Sequence, residues 1–144
     1  MQTIDRLNAF VGEWSVAADF PNVPQMDLTG RSTFEWALDR SFLVQRATIP
    51  HPEAPDSLCI YSADPYLQHY YDSRGVIRVY EMTLDDHGRW TLQRRKPDFT
   101  PLSFHQRWTA TFEEGGSVIR GTWETSEDGE RWEHDFELTY TKVA

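Results

Sequence analysis

Little in this sequence points toward an exported or membrane-inserted protein. It has one cysteine, Cys59, so no internal disulfide can form, and the thiol stands in an apolar run typical of a buried strand. The first residues lack the basic and then apolar order of an export signal, and no apolar run approaches the length of a membrane span. We therefore expect a protein of the reducing cytoplasm.

Positive charge is also scarce. The chain has 14 Lys and Arg residues against 23 Asp and Glu residues, which gives a formal net charge of −9. A surface of this sign repels phosphate backbones and anionic lipids, so neither nucleic acid nor a membrane is an expected partner. The one dense basic run, residues 94–96, is typical of a solvated strand end.

Aromatic residues, in contrast, are abundant and make up 14% of the 144 residues. β-Structure favours such side chains because they fit a pleated, half-buried surface. The length predicts a single domain over residues 1–144. A chain of this size buries roughly 68–70% of the surface that its unfolded form exposes, which provides one sizeable core without disulfides or metals.

One short helix is predicted at the start of the chain. Thr3 can cap it, and Gly12 can end it. Leu7, Phe10 and Val11 recur at helical spacing between them. After Gly12 the pattern changes to a period of two, interrupted by Gly-containing hairpin turns. The ten predicted strands cover residues 13–17, 31–38, 42–48, 58–62, 67–71, 76–84, 89–95, 105–112, 118–125 and 132–141.

Sequential hairpins without a crossover element predict an all-β fold, a single up-and-down antiparallel barrel whose closure removes the sheet edges. Alternate loops of such a meander lie at the same end. The three long loops, residues 18–30, 49–57 and 96–104, should therefore share one end as an entrance, and the helix should plug the other. Met26, Phe99 and Leu102 are apolar loop residues that we expect to fold over this entrance.

Both ends of the chain carry a short motif. The predicted helix leads into a G-x-W motif at residues 12–14, and the last strand ends in T-Y-T-K at residues 139–142. These two ends resemble those of lipocalins and related calycins. In lipocalins a basic residue of the last strand often packs over the Trp of the first strand. The resemblance therefore implies a calycin-like barrel in which Lys142 lies over Trp14.

Nearly the whole chain also resembles an uncharacterised bacterial group of lipocalin-like calycin domains, and more distantly nitrobindins and fatty-acid-binding-type barrels. This similarity is carried by residues 34–36, 42–46, 69–75, 121–124 and 132–136. Nitrobindins bind haem through a His near the last strand. Here Asp135 and Glu137 stand near that place and His134 is one step off in parity, which flips a strand residue to the other face. Haem is thus a second alternative, and no other cofactor or metal is expected.

Alternate residues of a barrel strand point inward, and the more apolar row should be the inner one. Arg78, Gln106 and His134 are polar residues that interrupt otherwise apolar rows. On the third strand the inner row is either residues 43, 45 and 47 or residues 42, 44 and 46. On the fifth strand the row with Leu67, His69 and Tyr71 is favoured over the row with residues 66, 68 and 70.

These rows predict a cavity for a small apolar or aromatic ligand with one polar or anionic group, which Arg78 or His134 would orient. The alternative is a cofactor-independent isomerase or cyclase that uses His69 or His134 as a general acid or base beside a cavity Tyr. Whether the chain is an enzyme stays open at this point, as does the choice between a monomer and a homodimer. The predicted ligand-binding residues are Trp36, His69, Tyr71, Arg78, Tyr80, Gln106, Trp108, Trp123 and His134.

Overall fold

The computed structural model describes residues 3–19, 28–50, 55–95 and 104–144. Helix α1 spans Thr3–Arg6 and continues as a 3₁₀ turn, Leu7–Phe10; a second 3₁₀ turn spans Glu114–Gly116. No helix in these ranges has the length and apolarity needed to span a membrane. The strands are β1 (Gly12–Asp19), β2 (Leu28–Ala37), β3 (Phe42–Thr48), β4 (Ser57–Ser62), β5 (Leu67–Asp72), β6 (Ile77–Leu84), β7 (Arg89–Arg94), β8 (His105–Glu113), β9 (Val118–Ser126) and β10 (Glu133–Lys142).

The ten strands close into one barrel. Each strand pairs antiparallel with the preceding one, and β1 pairs with β10. The predicted up-and-down barrel is therefore confirmed. Strand ends differ by a few residues. β2 begins at Leu28 because its ladder with β1 continues to the pair Ala18 and Leu28, and it ends at Ala37 because Leu38 takes a left-handed backbone conformation with φ 52°.

The N-terminal helix plugs one end of the barrel, as predicted. The side chains of Leu7 and Phe10 have no exposed surface. The ring of Phe10 lies 4.7 Å from that of Trp90 and 5.2 Å from those of Phe34 and Phe112, measured between centroids. Arg6 ties the helix to the opposite strand by donating a 2.9 Å hydrogen bond to the carbonyl oxygen of Leu84. Burying one such aromatic side chain contributes about 1.5–3 kcal/mol.

Trp14 joins the helix to the barrel wall. Its indole is fully buried and donates a 2.8 Å hydrogen bond from Nε1 to the carbonyl oxygen of Phe10. The Nζ atom of Lys142 lies 5.6 Å from the centre of the same indole, which is within cation–π range. The contact that the lipocalin resemblance implies between these two residues is therefore present.

The end opposite the helix is the open one. Ala18, Ile49 and Phe104 flank the three long loops, and all three residues line a single cavity. The three loops therefore leave the barrel at one end, as the alternation of a meander requires. Most of their residues, 20–27, 51–54 and 96–103, lie outside the described part of the chain, and so does the predicted lid of Met26, Phe99 and Leu102.

Alternation along the strands sets the inner face. The predicted inner rows of β6, β8 and β9 are confirmed by the burial of Tyr80, Trp108 and Ile119. On β3 the structure decides between the two alternatives, because Leu43 and Gln45 are buried. The other alternative, in which residues 42, 44 and 46 point inward, is excluded.

Candidate functional site

A cavity of about 570 Å³ occupies the barrel between the helical plug and the open end. This size is within the range of small-molecule sites, which are typically apolar with a few convergent polar groups. Its walls come from every strand of the barrel. Its inner aromatic and apolar lining includes Val16, Tyr61, Tyr70, Tyr80, Trp90, Leu92, Trp108, Trp123, Phe136, Leu138 and Tyr140.

The aromatic lining forms one connected wall rather than scattered rings. Trp108 lies 5.5 Å from Trp90 and 5.4 Å from Trp123, between ring centroids. Tyr80 continues the row at 5.5 Å from Trp123. Offset and edge-on pairs at these distances stabilise each other beyond their buried area. The wall is therefore a rigid apolar surface against which a flat or elongated ligand can pack.

Arg78 is the main charged group on this wall. Its guanidinium Nε is buried and has no hydrogen-bond partner among the described residues. No described carboxylate forms an ion pair with it. Its Cζ atom lies 5.9 Å from the centre of the Phe104 ring, and the guanidinium acts on the hydroxyl of Tyr80 through its charge and a hydrogen bond. A partly buried cation in this situation is costly unless an anion or water reaches it.

Tyr80 and Gln106 stand beside Arg78. The hydroxyl of Tyr80 donates a 3.0 Å hydrogen bond to Oε1 of Gln106. Burial raises the pKa of Tyr80, while the charges of Arg78 and Arg94 lower it, so both guanidinium groups act on this hydroxyl. Arg94 is only 2% exposed, so the expectation of a solvated strand end is wrong for this residue, whereas Arg95 is exposed and Lys96 lies outside the described residues. This part of the cavity is therefore electropositive in a protein of net negative charge.

Two further donors belong to the indole groups. Trp90 and Trp108 both line the cavity, and the Nε1 atom of each is buried without a hydrogen-bond partner among the described residues. Leaving a buried donor unpaired costs about 1–3 kcal/mol. These two indoles therefore add unpaired donors to the residues that line the cavity.

A neutral polar network lies on the remaining wall. Tyr61 donates a 2.6 Å hydrogen bond to Oε1 of Gln45 and accepts one of 2.7 Å from Nε2 of Gln68. Gln45 in turn donates to Oγ of Ser32 at 2.8 Å and to the hydroxyl of Tyr140 at 3.5 Å. All five side chains are buried. Buried networks of this kind fix side-chain positions because each member constrains the next.

The groups on this wall that can ionise are held neutral. Burial raises the pKa of the Cys59 thiol far above its ordinary value, and burial likewise raises the pKa of Tyr61. Burial raises the pKa of Tyr140 to about 12, against a smaller opposing effect of its hydrogen bond with Gln45. The wall around the network therefore disfavours negative charge, in contrast to the side that holds Arg78. Cys59 itself is a buried core residue, as expected from the sequence.

The structure places five of the nine predicted binding residues on the cavity. They are Arg78, Tyr80, Gln106, Trp108 and Trp123. The other four lie elsewhere. Trp36 is at the plugged end, where its Nε1 donates a 3.2 Å hydrogen bond to Oδ1 of Asn8 and its ring lies under Arg40. The prediction that Trp36 lines the cavity is wrong because the inner row of β2 continues beyond the plugged end of the cavity.

His69 and Tyr71 are on the outer face of β5, which corrects the favoured parity of that strand. Gln68 and Tyr70 line the cavity instead. The expectation relied on Leu67 as the apolar member of the inner row. The inner row is in fact polar, because Gln68 finds a buried partner in Tyr61, so hydrophobicity did not mark the inner face.

His134 is exposed and its inward prediction is also wrong. The ladder between β10 and β9 shifts between His134 and Phe136, so that His134 pairs with Glu124 while Phe136 pairs with Trp123. A bulge of this kind adds one residue and changes the face of all that precede it. It brings Asp135 to the cavity entrance, where burial raises the pKa of its carboxyl against an opposing effect of His134.

These corrections remove the basis of both alternatives. Of the four histidines in the described ranges, none lines the cavity, so neither His69 nor His134 can serve there as an acid, a base or a haem ligand. Thiolate and phenolate are other haem ligands, but Cys59 and Tyr140 are held protonated. The described cavity residues therefore do not fit haem. The described residues also contain no group of three or more His, Cys, Asp or Glu side chains that could hold a metal ion.

Several cavity residues were not among the predicted binding set. Trp90 and Tyr61 follow from the alternation of β7 and β4, so the inner rows of these strands could have supplied them. Asp135 could not be found this way, because its placement depends on the bulge. No family model matches this chain, and no curated protein matches it in sequence.

Proposed function

We propose that the barrel binds a small, largely apolar or aromatic molecule whose single anionic group pairs with Arg78. The observation that carries this proposal is Arg78, which lines an aromatic cavity of about 570 Å³ and whose buried Nε has no acceptor among the described residues. A ligand carboxylate or sulfonate would supply both the missing acceptor and the missing countercharge. Hydrogen bonds between two charged groups are about twice as strong as neutral ones.

The surrounding residues support the same chemistry. Tyr80 and Gln106 hold each other beside the guanidinium, so their positions are fixed before a ligand arrives. Trp90 and Trp108 also line the cavity, and their indole N–H groups are donors without a partner among the described residues. The aromatic wall supplies the apolar contact area, which contributes about 25 cal/mol per Å² removed from water.

A matched pair of fluorescent probes tests this proposal. Anilinonaphthalene sulfonate carries an aromatic body and one anionic group, and phenylnaphthylamine has the same body without the charge. Arg78→Gln should lower the affinity for the sulfonate probe by about tenfold or more, since a hydrogen bond to a charged group contributes about 1.5–3 kcal/mol. The affinity for the uncharged probe should change much less.

Arg89→Gln is the control, because Arg89 is exposed and lies at the plugged end of the barrel. It removes the same charge without touching the cavity. Native mass spectrometry of the freshly purified protein would show in parallel whether a small molecule is retained. The proposal fails if neither probe binds, or if the two Arg variants weaken the sulfonate equally.

A further inference from the structure

The neutral network leaves two hydrogen-bonding positions open toward the cavity. The hydroxyl of Tyr61 already makes hydrogen bonds as donor and as acceptor, because it donates to Gln45 and accepts from Gln68. The hydroxyl of Tyr140 accepts from Gln45 at 3.5 Å, and its own hydrogen has no acceptor among the described residues. Gln68 donates through Nε2, and its Oε1 receives no hydrogen bond from a described residue. On the cavity side the chain of hydrogen bonds therefore ends in the hydroxyl hydrogen of Tyr140 and in the amide of Gln68, which keeps its Oε1 as an acceptor and the second hydrogen of its Nε2.

These two positions lie deeper in the barrel than Arg78. The guanidinium of Arg78 lies beside Phe104 at the open end. The ring of Tyr61, which accepts from Gln68, lies 6.0 Å from that of Phe10 in the helical plug, and the ring of Tyr140 lies 6.4 Å from that of Trp14. A ligand that reaches from Arg78 into the depth of the cavity would thus meet a second polar site near the plug.

The chemistry of this second site differs from that of the first. A donor and an acceptor together match a group that can both accept and donate one hydrogen bond, as a hydroxyl does. An anion would accept from Tyr140 but could not donate to Gln68. Burial raises the pKa of Tyr61 and of Tyr140, and no described cation acts on either hydroxyl, so nothing in the described residues stabilises a negative charge there.

We propose that the ligand of this barrel has two polar ends: an anionic group at Arg78 and, across an apolar body, a hydroxyl group that accepts from Tyr140 and donates to Gln68. The class is that of hydroxylated aromatic or aliphatic acids. The anionic half rests on the proposed function, and the hydroxyl half rests on the network alone.

Pairs of acids that differ by one hydroxyl test the second half. Biphenylcarboxylate and its para-hydroxylated derivative form a rigid pair, and dodecanoate and ω-hydroxydodecanoate form a flexible one. Competition against anilinonaphthalene sulfonate gives the ratio of affinities within each pair. We expect the hydroxylated member of at least one pair to bind about tenfold more tightly, as two added neutral hydrogen bonds would provide.

Tyr140→Phe should reduce this ratio to about threefold or less, because it removes the donor and keeps the ring. Gln68→Met should reduce it by removing the acceptor, which provides a second variant should either protein fold poorly. Tyr71→Phe is the matched control. Tyr71 is on the outer face of β5 and does not line the cavity, so this variant should keep the wild-type ratio.

The outcomes separate the two proposals. Equal affinities within both pairs, with Arg78→Gln weakening every acid, would overturn the hydroxyl site and leave the anion site standing; a bound water would then complete the network. A wild-type preference that survives in both Tyr140→Phe and Gln68→Met would also overturn it. Acids that do not displace a bound sulfonate would overturn the hydroxyl site alone; if the sulfonate does not bind either, the proposed function fails and the hydroxyl site fails with it.

Discussion

The indole of Trp108 lies directly on Gly121, so that a Cβ atom at Gly121 would overlap the ring and come within 2.8 Å of the Cβ atom of Ala110. Gly121 and Ala110 are paired across β9 and β8, and Trp108 is two residues before Ala110. The absence of one side chain thus creates the space in which a tryptophan can lie flat against the barrel wall. The position of this cavity wall depends on that glycine.

Gly121→Ala should therefore destabilise the protein by about 1–3 kcal/mol, the usual cost of overpacking a core. It should also change the near-ultraviolet circular dichroism of the tryptophans, because the ring of Trp108 must move. Gly75→Ala is the control: nothing lies within 4 Å of its added carbon, and only its left-handed φ of 82° carries a cost. A Gly121→Ala protein with unchanged stability and spectrum would contradict this account.

The helical plug leads to a prediction about Phe10, which has no exposed surface and contacts four aromatic rings. Phe10→Ala should lower the free energy of unfolding by about 3–5 kcal/mol, as expected for a large-to-small change in a core. Urea unfolding measures it. Leu38→Ala, at a side chain that is 76% exposed, should change stability by no more than about 0.5 kcal/mol. Equal effects of the two changes would show that the helix is not part of the core.

Much of this architecture could be predicted from the sequence. The switch from helical spacing to a period of two places Phe10 on the plug and Trp14 on the first strand, and successive hairpins leave closure as the only way to pair all edges. The inner rows of β6 and β8 also follow from alternation, so the sequence correctly predicts that Arg78 and Trp108 line the cavity. These features are local, or follow from rules that need no tertiary detail.

The errors in the candidate site share one physical cause. Inner faces were assigned by hydrophobicity, but the inner row of β5 is polar where Gln68 bonds to Tyr61 on a neighbouring strand. On β10 a bulge shifts the register at residue 135, so the alternation that holds from Phe136 onward does not extend to His134. Both depend on contacts between strands, which a single sequence does not display.

Asp72 predicts how stability depends on pH. Burial would raise the pKa of its carboxyl, but hydrogen bonds from Arg74, from Tyr70 and from the backbone N–H groups of Arg74 and Val76 outweigh it and lower the pKa to about 2. A pKa below its ordinary value of 3.8 means that the ionised form stabilises the fold. This stability is present above about pH 4 and is lost as the pH falls toward 2. By linkage it amounts to up to about 2 kcal/mol.

Urea unfolding between pH 5 and pH 2 tests this contribution. Asp72→Asn should be less stable than the wild type near pH 5, and the difference should shrink toward pH 2 because the wild-type carboxyl then becomes protonated. Asp39→Asn is the control at an exposed carboxyl in a turn. A difference between wild type and Asp72→Asn that stays constant across this range would contradict the assignment.

The last prediction concerns Arg78, whose substitution should change ligand affinity and protein stability in opposite directions. In the ligand-free protein no described carboxylate pairs with its partly buried charge, so the desolvated guanidinium costs folding free energy that a bound anion would offset. Arg78→Met keeps most of the length and apolar stem of the side chain and removes the charge. We expect it to raise the stability of the ligand-free protein by about 1 kcal/mol, or a few degrees in Tm, while it lowers the affinity for anionic ligands by about tenfold or more.

Arg107→Met is the control. Arg107 donates 2.8 Å and 3.3 Å hydrogen bonds to Glu124, and its Cζ atom lies 4.2 Å from the centre of the Trp132 ring, so its loss should lower stability. If Arg78→Met is instead destabilised as much as Arg107→Met, the guanidinium is satisfied within the protein and does not await an anion.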